Sequence, residues 1–246
     1  METLKKTIRC LDSITDKILF FIFLFLFLIG LYAMYDSFLV YQAANDTSIL
    51  KYKPGYEGIA PDKPIKGNMV GWLTIDDTKI DYPIMQGEDN NEYLNKDPFG
   101  DYSLSGSIFL DSRNNSDFTD DYSLIYGHHM ENHKMFGDLD LYKNQTFFNE
   151  NRTGTLYLPD RSLKLEILAC FLLPADDENI FEPQRWNGQE KGLLDFAEKN
   201  AVYIHKDLAE KITDKEMQTQ FLAMSTCSSE FTDARTVILA VISDEG

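Results

Sequence analysis

Ile18 to Tyr35 reads ILFFIFLFLFLIGLYAMY, an 18-residue run without a charged side chain. A helix of about 20 apolar residues crosses the hydrocarbon core of a bilayer and satisfies its own backbone hydrogen bonds there. The run is therefore read as a single membrane-spanning helix. Lys5, Lys6, Arg9 and Lys17 precede it, whereas the ten residues that follow carry only Asp36 as a charge. That basic bias puts the N-terminus in the cytoplasm and the rest of the chain outside, in a single-pass cell-membrane protein. A cleaved signal peptide would have a shorter apolar core, and no clear A-x-A site follows this one. The expected organisation is a cytoplasmic N-terminus over 1–17, a transmembrane helix over 18–35, an extracellular stalk over 36–67 and a folded domain over 68–246. The stalk begins as a possible helix extension and then turns rich in Pro and Gly at Pro54, Gly55, Pro61 and Pro64.

From Asn68 onward the pattern is one of short strands. Val70–Ile75 and Lys79–Ile84 flank the turn signal Asp76-Asp77. Ser107–Leu110 and Ser123–Tyr126 follow, the latter running straight into Gly127-His128-His129. Thr155–Leu158 and Leu163–Leu173 form a further pair, with Leu163, Leu165 and Ile167 alternating against Lys164 and Glu166. Close-set short strands predict a mainly β domain, closed or sandwich-like. One stretch departs from this: Gln189–Asn200 sets Leu193, Phe196 and Ala197 at helical spacing, which predicts an inserted helix. The aromatic fraction of 13% is that of a packed chain, and a net charge of -17 argues against nucleic acid as a partner.

Near the C-terminus, the apolar run Phe221–Met224 ends in Ser225-Thr226-Cys227. After a polar turn, Arg235 opens a second apolar run, Thr236–Ile242. This reads as a strand hairpin with a thiol at the mouth of one strand and a guanidinium near the start of the next. Positive charge beside a thiol favours the thiolate, so Cys227 is a candidate nucleophile; the alternative is a buried structural Cys beside a surface Arg. The other two cysteines differ in context. Cys10 precedes the membrane run and Cys170 lies among Ile167, Leu168, Ala169, Phe171 and Leu172, where a thiol behaves as a small hydrophobe. No C-x-x-C spacing is present, so neither a disulfide framework nor a zinc ribbon is indicated.

Three of the four histidines cluster at His128, His129 and His133. His129 and His133 are four apart, which would bring them together on a helix, but Gly127 and the strand before it indicate a strand-to-loop exit. No H-E-x-x-H pattern occurs, and no metal site and no cofactor are expected. A cysteine nucleophile needs an imidazole to exchange protons with the thiol and the leaving amine, and the two are brought together by the fold rather than by sequence.

Taken in order, Gly127-His128, Ser225-Thr226-Cys227 and Arg235 resemble the His, Cys and Arg set of the sortases, membrane-anchored cysteine transpeptidases of Gram-positive bacteria. The family's TLxTC-type motif stands here as Ala223-Met224-Ser225-Thr226-Cys227, departing at its first two positions and keeping Thr-Cys. Tyr126–Met130 followed by Met135-Phe136-Gly137, together with Cys227-Ser228-Ser229-Glu230-Phe231 before Arg235, is similar to class B. So is the helix before the Cys strand.

The resemblance implies a closed eight-stranded β-barrel with inserted helices, behind one N-terminal membrane helix. It implies cleavage of a C-terminal sorting signal after Thr through a thioacyl on Cys227, and transfer to an amine. His128 would be the acid and then the base, and Arg235 the donor to substrate and oxyanion. Asn90, Leu94, Ile180 and Ser225 would contact the signal, with the segment 89–94 as one wall and the stretch around Ile180 as the other. The implied partners are surface proteins bearing the signal and, as acceptor, an amine of a peptidoglycan precursor or a pilin Lys. A membrane-tethered cysteine hydrolase and a non-catalytic binding module are the competing functions.

Overall fold

A computed structural model describes residues 2–44, 47–58, 64–65, 68–130, 132–213, 219–227 and 234–244. The chain divides into two units, Met1–Ala43 and Ala44–Gly246. The first is the helix α1 (Glu2–Ala44), which contains the whole apolar run. Its stretch Ser13–Val40 is long and apolar enough to cross a membrane. Phe20, Phe21, Phe23, Phe25 and Phe27 are all more than 60% exposed. A helix apolar on every side is compatible with a membrane anchor.

The second unit is built on strands β1 (Met69–Ile75), β2 (Asp81–Gln86), β3 (Ile108–Leu110), β4 (Tyr122–Met130), β5 (Lys134–Met135), β6 (Thr153–Tyr157), β7 (Ser162–Pro174), β8 (Tyr203–Ile204), β9 (Gln220–Cys227) and β10 (Ala234–Asp244). Among the described residues the α-helices α2 (Gln145–Glu150), α3 (Glu178–Phe181), α4 (Glu190–Asn200) and α5 (Lys206–Thr213) intervene. The strands pair in the order β10-β9-β4-β3-β2-β1-β6-β7, and β7 pairs back onto β10. These eight strands close a barrel, as expected. β5 and β8 stand off it, on β4 and β7 respectively. Closure leaves the long β7 and β10 paired along their length rather than exposed as edges.

Strands β4, β7, β9 and β10 each contribute to two cores, one inside the barrel and one under the helices. On β9, Leu222 and Met224 join the cluster inside the barrel, with Ile238, Ala240 and Ile242 of β10. Phe221 and Ala223 face the other way, with Val237, Leu239 and Val241, onto Ile180, Leu193, Ala197, Leu208 and Ile212 of the helices. A wall buried on both faces must be apolar at consecutive positions, which accounts for the unbroken runs 221–224 and 237–242.

Two stretches differ from the sequence expectation. The strand before His128 does not exit into a loop at Gly127 but continues as β4 to Met130. A Cβ at Gly127 would lie 2.3 Å from Ile108 Cδ1 and 2.7 Å from Phe136 Cδ2, so the glycine makes room for packing and does not break the strand. The chain also joins the sheet before Asn68. A 3-10 turn spans Thr47–Tyr52, and Lys53 Nζ lies 2.9 Å from Asp81 Oδ1, which also accepts from Trp72 Nε1 at 2.6 Å.

Candidate active site

β4 and β9 run parallel, joined by the long crossover that parallel pairing requires. Their register pairs Tyr126 with Ser225, Gly127 with Thr226 and His128 with Cys227. β10 runs antiparallel on the other side of β9 and pairs Val237 with Ser225. Carried two residues further, that register sets Arg235 level with Cys227, and Thr226 Oγ1 lies 3.5 Å from Thr236 O between them. The three candidate catalytic residues therefore stand on three neighbouring strands at one level. All three occupy positions of the helix-facing parity, that of Leu124 on β4, Ala223 on β9 and Val237 on β10. The continuation of the Cys227 motif, Ser228 to Phe231, lies outside the described residues.

His128 is held by the far wall of the site. Its Nε2 lies 2.7 Å from Leu94 O, at the end of the 3-10 turn Glu92–Leu94. A carbonyl only accepts, so Nε2 carries the hydrogen and Nδ1 is the basic nitrogen of the neutral ring. His129 takes the opposite parity, and its Nε2 lies 3.1 Å from Asp140 Oδ2. His133 pairs instead with Asp138. The two histidines with helical spacing thus serve separate carboxylates on either side of a hairpin turn. Among the described residues, no three His, Cys, Asp or Glu side chains converge on one point.

A cleft of about 260 Å³ adjoins this level, lined by Asn90, Leu94, Phe109, Tyr126, Ala175, Phe181, Ser225, Thr226 and Arg235. Asn90, Leu94, Ser225 and Arg235 had all been singled out from the sequence. Asn90 lines the cleft with an amide already engaged, since Nδ2 donates to Asp111 Oδ2 at 2.9 Å and Oδ1 accepts from Ser112 N at 2.8 Å. Ile180 is fully buried, its carbonyl accepts from the Tyr122 hydroxyl, and its neighbour Phe181 lines the cleft.

Sequence reasoning missed the aromatic floor. The Tyr126 ring lies 5.2 Å from Phe109 and stacks on Phe181 at 6.4 Å with an 11° interplanar angle. A signal was present, because Tyr126 is two residues before His128 and so shares its face of β4. A larger cleft of about 700 Å³ is lined by Asn68, Gln86, Glu92, Tyr93 and Lys96 among others, and neither His128 nor Arg235 is among its described lining residues. Cys170 on β7 is fully buried, and burial pushes its thiol up to about 12, so it stays protonated at neutral pH.

No family model matches the chain. Among curated proteins, Sortase B of Listeria monocytogenes is 33% identical over 163 residues, which are 66% of this chain and 64% of that protein. Sortase B of Staphylococcus aureus is 26% identical over 192 residues, covering 77% of this chain and 75% of that one. The solved structures include Spy0129 of Streptococcus pyogenes, a class B sortase involved in pilus biogenesis. It is 39% identical with a TM-score of 0.63, and the match covers 70% of this chain and 90% of that one. An eight-stranded barrel closed by β7 on β10, a His-Cys pair in register across parallel strands, and this degree of identity lead to one conclusion: the chain belongs to the class B sortases.

Proposed function

We propose that the chain is a membrane-anchored sortase transpeptidase, held by α1 with its N-terminus in the cytoplasm and the domain from about residue 68 outside. The observation that carries this reading is the in-register pairing of His128 with Cys227, with Arg235 level on the next strand and a peptide-sized cleft alongside. In the proposed reaction, the Cys227 thiolate attacks the carbonyl carbon of a Thr in a C-terminal sorting signal. A C–S bond forms, the peptide C–N bond breaks, and the His128 imidazolium gives its proton to the leaving amine. An acceptor amine then attacks the thioacyl carbonyl and an amide C–N bond forms. The C–S bond breaks, the amine's proton passes to His128, and Cys227 leaves as the thiolate with which the cycle began. Arg235 donates to the substrate and to the oxyanion of each tetrahedral intermediate; its charge is permanent and its donors lie in one plane.

The signal peptide would lie along the cleft, between Asn90 and Leu94 on one side and Phe181 on the other, with Ser225 beneath it. The acceptor is an amine of a peptidoglycan precursor or a Lys of a pilin subunit. The pilin alternative draws support from the similarity to the S. pyogenes pilus enzyme. A hydrolase, in which water ends the thioacyl, is the remaining reading. Mass spectrometry of sorting-signal peptides incubated with the full chain in detergent micelles separates them. Amine-dependent ligation products support transfer, whereas free acid alone, whatever amine is added, supports hydrolysis.

A further inference from the structure

Asp111 directly follows β3, and its carboxylate is fully buried. A buried charge is tolerated only when it is paired and its lone pairs are filled. Here five donors fill them. Arg113 contributes its backbone N, Nε and Nη2 at 3.0, 2.9 and 2.9 Å, Asn90 its Nδ2 at 2.9 Å, and Tyr126 its hydroxyl at 2.9 Å. Burial and the Asp111 charge push the Tyr126 phenol up, which keeps it a donor.

Arg113 does not stop at Asp111. Its Nη2 also donates to Phe181 O at 2.7 Å, and its Nη1 donates to both Glu182 oxygens at 2.8 and 2.9 Å. One guanidinium thus joins two segments 68 residues apart. On one side is the hub that holds Asn90 and Tyr126; on the other is the short helix α3, which carries Phe181. Asn90, Tyr126 and Phe181 all line the same cleft. A planar fork that uses both edges at once fixes a separation in a way a single ammonium cannot.

We infer that the Asp111–Arg113 pair is a positioning clamp that sets the width of the cleft, and with it the selectivity for the apolar side chain of an extended peptide lying on the Tyr126–Phe181 floor. The inference rests on the transpeptidase reading for its substrate and on the hydrogen bonds alone for the clamp.

The test uses the full chain in detergent, with Arg113→Ala, Arg113→Lys and Glu182→Gln. The last two guard against a fold lost by leaving Asp111 unpaired. Amide hydrogen exchange over 177–182 reads the clamp without substrate. Faster exchange there in the Arg113 variants, with β9 and β10 unchanged, is expected, and unchanged exchange overturns the clamp. Cleavage of a peptide library varied upstream of the scissile bond reads the consequence. KM is expected to rise about tenfold with kcat within about threefold, since the clamp positions the binding wall and not the reacting groups. Selectivity among apolar residues should flatten, least in Glu182→Gln. Wild-type cleavage with selectivity unchanged in Arg113→Lys and Arg113→Ala overturns the inference and leaves the transpeptidase reading standing. A wild type that cleaves no library peptide overturns both the reading and the selectivity claim.

Discussion

Thr236, the residue after Arg235 on β10, donates through Oγ1 to Asp140 Oδ1 at 2.7 Å. The other oxygen of that carboxylate faces His129, the residue after His128 on β4, and Lys143 Nζ lies 2.8 Å from it. A single carboxylate therefore ties β4 to β10 behind β9, on the reverse of the wall that carries the three candidate catalytic residues. Burial raises the Asp140 pKa, but hydrogen bonds from His129, Lys143 and Thr236 outweigh it and hold the carboxyl well below the usual range.

Asp140→Ala is expected to lower kcat about tenfold while leaving KM within about threefold, by loosening the spacing of His128 and Arg235. The carboxylate is 35% exposed, so after solvent screening the stability loss should be only about 1 kcal/mol. The Asp140 contribution is present above the unfolded carboxyl pKa of about 4 and is lost as pH falls toward the lower folded value. The gap between the urea midpoints of wild type and Asp140→Asn should therefore narrow progressively as pH falls below about 4. A constant gap at all pH values contradicts this account.

His205 sits in the core with its ring stacked 4.2 Å from Phe148 and its Nε2 3.1 Å from Phe148 O. Burial lowers its pKa. The unfolded chain takes up a proton near pH 6.5 while the folded one resists it, so this site destabilises the fold as pH drops below about 6.5. Denaturation at pH 7.5 and 5.5 should show a slope that flattens in His205→Gln; an identical slope in both proteins would assign the pH dependence elsewhere.

Cys170 should not react with a thiol reagent at pH 7 in the native state, because its thiol is buried and raised to about 12. In a Cys10→Ser background, Cys227→Ala should abolish labelling, and Cys170→Ala should leave it intact at a stability cost on the order of 1 kcal/mol. Native labelling of Cys170 would show that β7 opens.

His128→Ala should slow peptide cleavage by about a hundred- to ten-thousand-fold, the range for loss of a general acid–base group. His129→Ala should fall less, in line with Asp140→Ala, because His129 lies on the opposite face of β4 and contacts the Asp140 carboxylate. A larger loss in His129→Ala than in His128→Ala, with both folded by circular dichroism, would reverse the two assignments.

Much of this architecture was legible in the residues. Strands buried on both faces showed as unbroken apolar runs, and α4 showed through Leu193 and Ala197. The short elements did not show. α3 has four residues and β8 has two, too few for a period to be read. In so short a helix one step, from Ile180 to Phe181, moves a side chain from the buried face to the cleft. α5 carried Leu208, Ala209 and Ile212 at helical spacing and could have been found. Other features depend on distant partners. Gly127 reads as a strand breaker until Ile108 and Phe136 are packed against it, and the Arg113 clamp joins segments that have no local signal in common.

The account turns on Cys227 acting as the nucleophile opposite His128. Acid-quenched mass spectrometry of the full chain, mixed with a peptide it cleaves, measures this directly. The expected result is a transient mass increase equal to the acyl fragment. It should map to the peptide containing Cys227, disappear on adding an acceptor amine, and be absent from Cys227→Ala. Undiminished cleavage by folded Cys227→Ala, or an adduct mapped to Cys170 or Cys10, would contradict it.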